Sequence, residues 1–125
     1  MNAILDNKDN LKKIIKIIHL EVRKKMYLFL RKNKNKKIVI LDIPLLLENN
    51  INKKNDILIF VDANKINIMK RLKKRKNFDL KLLNKFKQVQ LPLNYKKRLS
   101  QFVIKNNFTN NPVKKDIKFI LNKIL

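Results

Sequence analysis

Two arginines offer the clearest phosphate-binding chemistry in this sequence. Arg71 and Arg75 stand four residues apart in a stretch whose pattern predicts a helix, so we expect them to share one helical face. A guanidinium fork matches the oxygens of a phosphate group, and phosphoryl transfer requires the charge on the transferring group to be neutralised. Many lysines surround both positions, so a solvated basic helix face is the alternative interpretation.

An acid and a histidine are the next candidates. Asp42 follows the apolar run 38–41, where its carboxylate could orient a ligand hydroxyl or a magnesium-bound water, or simply cap the turn before Pro44. His19 is the only histidine and lies near Arg23 on a predicted helix, as either a substrate-site residue or a structural one. Asp42 is the nearest candidate for a catalytic base, and the sequence does not identify it as one.

The chain contains no glycine and no cysteine among its 125 residues. A phosphate-binding loop of the GxxxxGK[ST] type depends on glycines, because its backbone needs conformations that side chains disfavour. We therefore expect this chain to hold no nucleoside triphosphate in such a loop of its own. Without cysteine, neither disulfides nor thiolate chemistry is available.

The formal net charge is +23, from 32 Lys and Arg against 9 Asp and Glu. Such a surplus attracts polyanions, so non-specific polyanion binding and a basic nucleic-acid-binding module are alternatives. Lysine, asparagine and isoleucine, whose codons are rich in A and T, are abundant, so compositional drift is the alternative explanation for much of the charge. No charge-free apolar run reaches about 18 residues and no signal pattern opens the chain. We expect a cytoplasmic protein without a membrane segment.

Hydrophobic periodicity predicts helices alternating with apolar strands. The strands are predicted at 38–41, 57–61 and 102–104, and the helices at 10–32, from residue 64 onward, at 79–90 and at 113–125. This alternation indicates an α/β fold with a parallel sheet of about three strands flanked by helices. Ligands of such sheets bind at the carboxyl ends of the strands, where Asp42, Asp62 and Asn106 stand.

Five collinear blocks then resemble one enzyme family, the dephospho-coenzyme A kinases. Residues 38–48, IVILDIPLLLE, resemble the family stretch VVLDIPLLFE, and residues 17–23, IIHLEVR, resemble ILHPLVR. Residues 60–63 with the two arginines resemble VVDA…R…R, residues 90–92 with Lys96 resemble QLP…K, and residues 102–106 resemble FVIDN. The resemblance runs from about residue 11 to the end of the chain, and it corresponds to the C-terminal two-thirds of the family.

The resemblance implies a single, incomplete P-loop kinase-like domain over residues 1–125. It would comprise a substrate-side helix at 10–34, core strands at 37–62, lid-like helices at 64–98, and a final strand and helix at 101–125. The family uses ATP with Mg²⁺ to phosphorylate the 3′-hydroxyl of dephospho-coenzyme A, the last step of coenzyme A biosynthesis. Its first strand, P-loop and catalytic Asp precede the matched region, so a missing N-terminal segment is an implied partner and the isolated chain is expected to be inactive.

The places of individual residues in the family's motifs also imply their roles. Arg71 and Arg75 would reach the ATP phosphates from a closing lid, and Asn106 would contact adenine or serve as a turn residue. Four departures from the family pattern, Leu20, Ile68, Ser100-Gln101 and Lys105, affect the positions near the nucleotide. The residues implied to bind the substrate are His19, Arg23, Asp42, Pro44, Leu45 and Leu46.

Three interpretations remain open at the level of sequence. The first is a truncated or mispredicted dephospho-coenzyme A kinase. The second is a degenerate remnant of one, without activity. The third is the basic nucleic-acid-binding module, which is weakened because few aromatic residues interleave with the charge and no nucleic-acid-binding motif occurs.

Overall fold

The computed structural model describes residues 8–125, and within that range the chain forms five helices and two strands. Clustering of contacts divides the chain into two compact units, Met1–Lys53 with Asn84–Gln90, and Lys54–Leu83 with Leu91–Leu125. In chain order the elements are α1 Lys8–Lys32, β1 Ile59–Ala63, α2 Lys65–Lys73, α3 Leu80–Gln88, α4 Leu93–Leu99, β2 Phe102–Asn106 and α5 Asn110–Ile124. None of these helices is both long enough and apolar enough to cross a bilayer.

The first unit is organised by α1, a helix of 25 residues. Its buried core contains Met26 from α1 and Ile51 from the segment that follows. On the exposed side of the helix, Lys24 Nζ lies 2.8 Å from Glu21 Oε1, one helical turn away. This hydrogen bond and the opposite charge lower the pKa of the Glu21 carboxyl and raise that of Lys24. The helix predicted at 10–32 is confirmed, because α1 spans Lys8–Lys32.

The strand predicted at residues 38–41 is wrong, because this segment has an irregular backbone in the structure. A strand needs a neighbour to complete its hydrogen bonds, and the sheet found among the described residues contains only β1 and β2. Ile40, which the prediction would bury, is 80% exposed. An apolar run alone does not make a strand when no partner strand stands beside it.

The segment that follows, residues 44–50, coils into successive turns. Main-chain N–H groups of Asn49, Asn50 and Ile51 donate to the carbonyls of Leu45, Leu47 and Leu46 at 3.1–3.2 Å. Leu45 and Asn50 take left-handed backbone angles, with φ of 56° and 48°. Glycine is the usual residue in that conformation, and a bulky side chain such as leucine is uncommon there.

The second unit contains the sheet. β1 and β2 are parallel, with Ile59 opposite Phe102 and Ala63 opposite Asn106. Gln101 extends the pairing by one step, since its main-chain N–H donates to the Leu58 carbonyl at 2.9 Å and its Oε1 accepts from the Leu58 N–H at 2.7 Å. The α/β class and the parallel arrangement are confirmed, with both strands ending two residues later than predicted. The sheet has two strands, however, and not the predicted three.

Helices complete the second unit. α5 packs against β2 and contributes Ile120, which is only 4% exposed. α2 begins at the N-cap residue Asn64, whose side-chain oxygen accepts from the Ile66 N–H at 2.8 Å. Such a side-chain acceptor satisfies one of the donors that a helix leaves free at its start. α5 starts at Asn110, three residues earlier than predicted.

Arg71 and Arg75 do not share a helical face, which corrects the prediction from their spacing. α2 ends at Lys73, and Arg75 lies in the turn that follows, where its N–H donates to the Leu72 carbonyl at 3.0 Å. The basic run of residues 70–76 contains no acidic side chain. Like charges three and four residues apart disfavour further helical turns, which is consistent with the helix ending here.

Candidate functional site

A cleft of about 540 Å³ lies within the first unit, between one face of α1 and the turns of residues 44–50. It combines basic, acidic and apolar side chains. Its lining residues are Ile15, Lys16, His19, Leu20, Arg23, Leu45, Glu48, Asn49 and Val89. Three of the predicted substrate-binding residues, His19, Arg23 and Leu45, are therefore brought together on one surface.

The helical repeat of α1 explains how five of these side chains reach the same cleft. Residues three and four apart lie on one helical face, so Ile15 and Lys16 stand one turn before His19, and Arg23 one turn after it. Lys16 was not among the predicted site residues, although stepping back one turn from His19 would have found it. Val89 comes from beyond α3, and no local pattern in the sequence connects it with α1.

Arg23 holds the turns of residues 44–50 against α1. Its Nη2 donates to the main-chain carbonyl of Asn49 at 2.7 Å, in a partly buried position. The Asn49 side chain in turn donates to the carbonyl of Leu45 at 2.8 Å. A charged donor makes a stronger hydrogen bond than a neutral one. Arg23 therefore shapes the cleft wall, while its role in substrate binding stays a prediction.

His19 carries a buried polar atom of the cleft that is unpaired among the described residues. Its Nδ1 is buried and, among the described residues, has no hydrogen-bond partner. A buried polar atom without a partner costs about 1–3 kcal/mol, so a ligand group that pairs with it gains binding energy. The role of His19 in substrate binding stays a prediction.

The other predicted substrate residues do not line the cleft. Asp42 and Pro44 are exposed, with Asp42 just ahead of the turns and Pro44 at their first position. Leu46 is half-buried, and its carbonyl accepts from the Ile51 N–H at 3.1 Å. Asp42 also stands at the end of an irregular segment and not at the end of a strand, because residues 38–41 form none. Their roles in substrate binding stay predictions.

A second group of candidates lies in the other unit, at the carboxyl edge of the sheet. The Arg71 guanidinium carbon stands 4.7 Å from the centroid of the Phe108 ring, a cation–π geometry. Phe108 follows β2 by two residues, and its N–H donates to the Asn106 side-chain oxygen at 2.9 Å. The structure thus connects the predicted phosphate residue Arg71 with the predicted adenine residue Asn106 through Phe108.

Phe108 is the residue at this edge that the sequence did not identify. Its φ of 65° lies in the left-handed region, which favours glycine, and this chain has none. Asn107 supports the turn, because its side-chain oxygen accepts from the Thr109 N–H at 3.1 Å and from the hydroxyl at 2.6 Å. On β1, Asp62 accepts from Lys97 Nζ at 2.8 Å, so its carboxylate is engaged in an ion pair.

Comparison with known proteins identifies the family. The family model for dephospho-CoA kinase matches residues 1–111. Dephospho-CoA kinases of Wolbachia sp. subsp. Brugia malayi and of Wolbachia pipientis wMel are each 30% identical to this chain, over 96% and 93% of its length. That of Lactobacillus acidophilus is 32% identical over 91% of the chain. The matches span 62%, 60% and 58% of these three relatives, so the chain covers about three-fifths of their length. The chain belongs to the dephospho-CoA kinase family.

Proposed function

We propose that this chain supplies the acceptor-binding part, and some of the phosphate-side cations, of an ATP-dependent kinase for the 3′-hydroxyl of dephospho-coenzyme A. This is the last step of coenzyme A biosynthesis, and we expect it in the cytoplasm. The observation that carries the proposal is the family match over residues 1–111. The cleft that gathers His19, Arg23 and Leu45 supports it independently.

The chemistry of the cleft suits dephospho-coenzyme A. That molecule joins an anionic diphosphate to a pantetheine arm with amide and hydroxyl groups. Lys16 and Arg23 are cations that can face the diphosphate, and the apolar side chains of Ile15, Leu20 and Leu45 can pack against the arm. The buried Nδ1 of His19 offers an unpaired nitrogen for a hydrogen bond with one of its polar groups.

The nucleotide side of the reaction is assigned to the second unit. ATP brings Mg²⁺ with it, and within residues 8–125 no group of three or more acidic or histidine side chains gathers to hold a metal ion. In our proposal Arg71 and Arg75 neutralise charge on the transferring phosphate, and Asn106 lies beside the adenine.

We expect purified chain to bind dephospho-coenzyme A in the cleft, and Lys16→Ala to weaken that binding by about tenfold or more. A hydrogen bond to a charged group contributes roughly 1.5–3 kcal/mol, which sets this scale. Isothermal titration calorimetry with dephospho-coenzyme A measures the change in Kd. Among the described residues, the Lys16 side chain makes no hydrogen bond or ion pair, so its removal leaves the cleft wall in place.

The matched control is Lys13→Ala, one turn earlier on α1 and equally basic, which does not line the cleft. It should leave Kd within about twofold, because surface substitutions away from a site have small effects. Equal weakening by both variants would mean that only the net charge attracts the ligand, and the cleft assignment would be wrong. The absence of any binding would also contradict it.

A further inference from the structure

Phe108 stands in a backbone conformation that its own side chain disfavours. Its φ of 65° lies in the left-handed region, where a bulky residue is an outlier. Asn106 accepts from the Phe108 N–H at 2.9 Å, and Asn107 accepts from the Thr109 N–H at 3.1 Å. A disfavoured conformation persists only where the surrounding structure fixes it. These hydrogen bonds therefore fix the place of the Phe108 ring at the carboxyl edge of the sheet.

The ring meets the guanidinium of Arg71, whose carbon lies 4.7 Å from the ring centroid. Among the described residues, the Arg71 side chain makes no hydrogen bond and no ion pair. The basic run of residues 70–76, in which Arg71 stands, also supplies no carboxylate. Phe108 is therefore the group that holds the Arg71 guanidinium in the part of the chain that the structure describes.

We propose that Phe108 is a positioning residue, whose ring holds Arg71 while no nucleotide is bound and releases it to the phosphates of ATP. The inference rests on the proposed function, in which Arg71 neutralises charge on the transferring phosphate. A phosphate oxygen offers the guanidinium a charge-assisted hydrogen bond, which is stronger than a cation–π contact at an exposed site. The phosphate therefore takes Arg71 from the ring.

The contact with the ring opposes the binding of ATP, because it exists only while Arg71 is free of phosphate. A ligand binds more weakly by the fraction of molecules in which its partner group is available. One exposed cation–π contact reduces that fraction by about two- to fivefold. Removing the ring should therefore tighten the binding of ATP at Arg71. A ring that stayed on Arg71 in the complex would have the opposite effect.

The test follows the Arg71 side chain directly in the full 125-residue chain. The chain contains five arginines, so NMR with ¹⁵N-labelled arginine gives few Nε–H signals, and single Arg→Lys variants assign them. Without ATP, the ring current of Phe108 should shift the Arg71 signal upfield of its position in Phe108→Leu. Added ATP should abolish that upfield shift, because the guanidinium leaves the ring.

Titration with ATP, followed at the Arg71 signal, measures Kd at this position. Phe108→Leu should lower this Kd by about two- to fivefold, and leucine suits the turn because Leu45 takes a φ of 56° in this chain. Phe108→Asn should act in the same direction, since asparagine also adopts the left-handed conformation. Phe108→Tyr keeps a ring and should leave Kd within about twofold of the unmodified chain.

The Arg98 signal is the matched control, since Arg98 is an exposed arginine on α4 and lies outside this contact. Its Kd for ATP should be the same in every variant, because it reports only attraction to the net charge. Equal tightening at Arg98, unchanged or weaker binding at Arg71 without the ring, or an upfield shift that persists with ATP each overturns the proposal. An Arg71 signal that ATP does not move would overturn the phosphate role in the proposed function, and the release from the ring with it.

The two failures are distinguishable in the same titration. If ATP moves the Arg71 signal but Kd does not fall in Phe108→Leu and Phe108→Asn, the phosphate role of Arg71 stands and the holding role of Phe108 is wrong. If ATP leaves the Arg71 signal in place, the phosphate role itself is wrong.

Discussion

Replacing Arg71 with alanine is expected to lower the kcat of a completed kinase by about a hundredfold to a thousandfold. That is the usual cost of removing one well-placed donor to a developing charge, about 3–4 kcal/mol. The completed kinase is a fusion in which the segment of a relative that this chain does not match precedes Met1. Measured kcat for dephospho-coenzyme A phosphorylation, with ATP and Mg²⁺ saturating, gives the comparison.

The geometry around Arg71 explains why its loss should act on the chemical step more than on folding. Its guanidinium stacks on Phe108 at the carboxyl edge of the sheet, where ligands of α/β sheets bind. A cation–π contact at an exposed site contributes about 0.5–1 kcal/mol, less than the roughly 1.5–3 kcal/mol of a charged hydrogen bond. A phosphate can therefore draw Arg71 from the ring, and losing the ring contact alone costs little stability.

Arg75→Ala should lower kcat by a similar factor if Arg75 also reaches the phosphate, although it does so from the turn beyond α2. Lys73→Ala is the matched control, because Lys73 is an exposed cation in the last turn of α2. Arginine variants that behave like Lys73→Ala would show that these residues are only solvated charge. Arg71→Lys keeps the positive charge but loses the guanidinium fork, so its kcat should lie between those of Arg71→Ala and Lys73→Ala.

Ile120→Ala is expected to destabilise the second unit by about 2–5 kcal/mol, the range for deleting a buried isoleucine side chain. Among the described residues of that unit, Ile120 is the one buried apolar side chain, at 4% exposure, and it lies on the helix that packs against β2. Small domains have only about 5–15 kcal/mol of stability in total. Urea unfolding followed by circular dichroism should show a much lower midpoint.

Phe119→Ala serves as the control for that experiment, because Phe119 is the adjacent residue and is 58% exposed. Its effect on the free energy of unfolding should stay within about 0.5 kcal/mol. Equal losses for the two variants would mean that burial at Ile120 does not hold α5 on the sheet. The two alanine substitutions thus separate packing from helix propensity, since both create the same residue in the same helix.

Two similar apolar runs show how far the sequence predicts the fold. Residues 38–41 and 57–61 are both rich in β-branched residues and both suggest a strand. Only the second forms one, because Leu58 and the residues after it meet Gln101 and β2. The first has no partner strand among the described residues. The local sequence pattern predicts that a segment favours the strand conformation. Whether the strand forms depends on a partner strand elsewhere in the chain, which the local pattern does not reveal.

The candidate site was predictable to a similar extent. The family resemblance led to His19, Arg23 and Leu45, which do line one cleft, and the helical repeat could have added Lys16. Asp42 was expected at a strand end, and that expectation failed together with the strand. Phe108 could not be found from sequence, because a left-handed conformation in a glycine-free chain leaves no residue type to mark it.

The most direct test of the account is to measure coenzyme A formed from dephospho-coenzyme A and ATP–Mg²⁺ by the chain alone and by the fusion with the relative's segment. Because the chain has no glycine for a phosphate-binding loop, we expect the chain alone to stay at background. The folded fusion should produce coenzyme A, and it should bind dephospho-coenzyme A through the same cleft. Clear turnover by the 125-residue chain alone, or a folded fusion that binds both substrates and never turns over, would contradict the account.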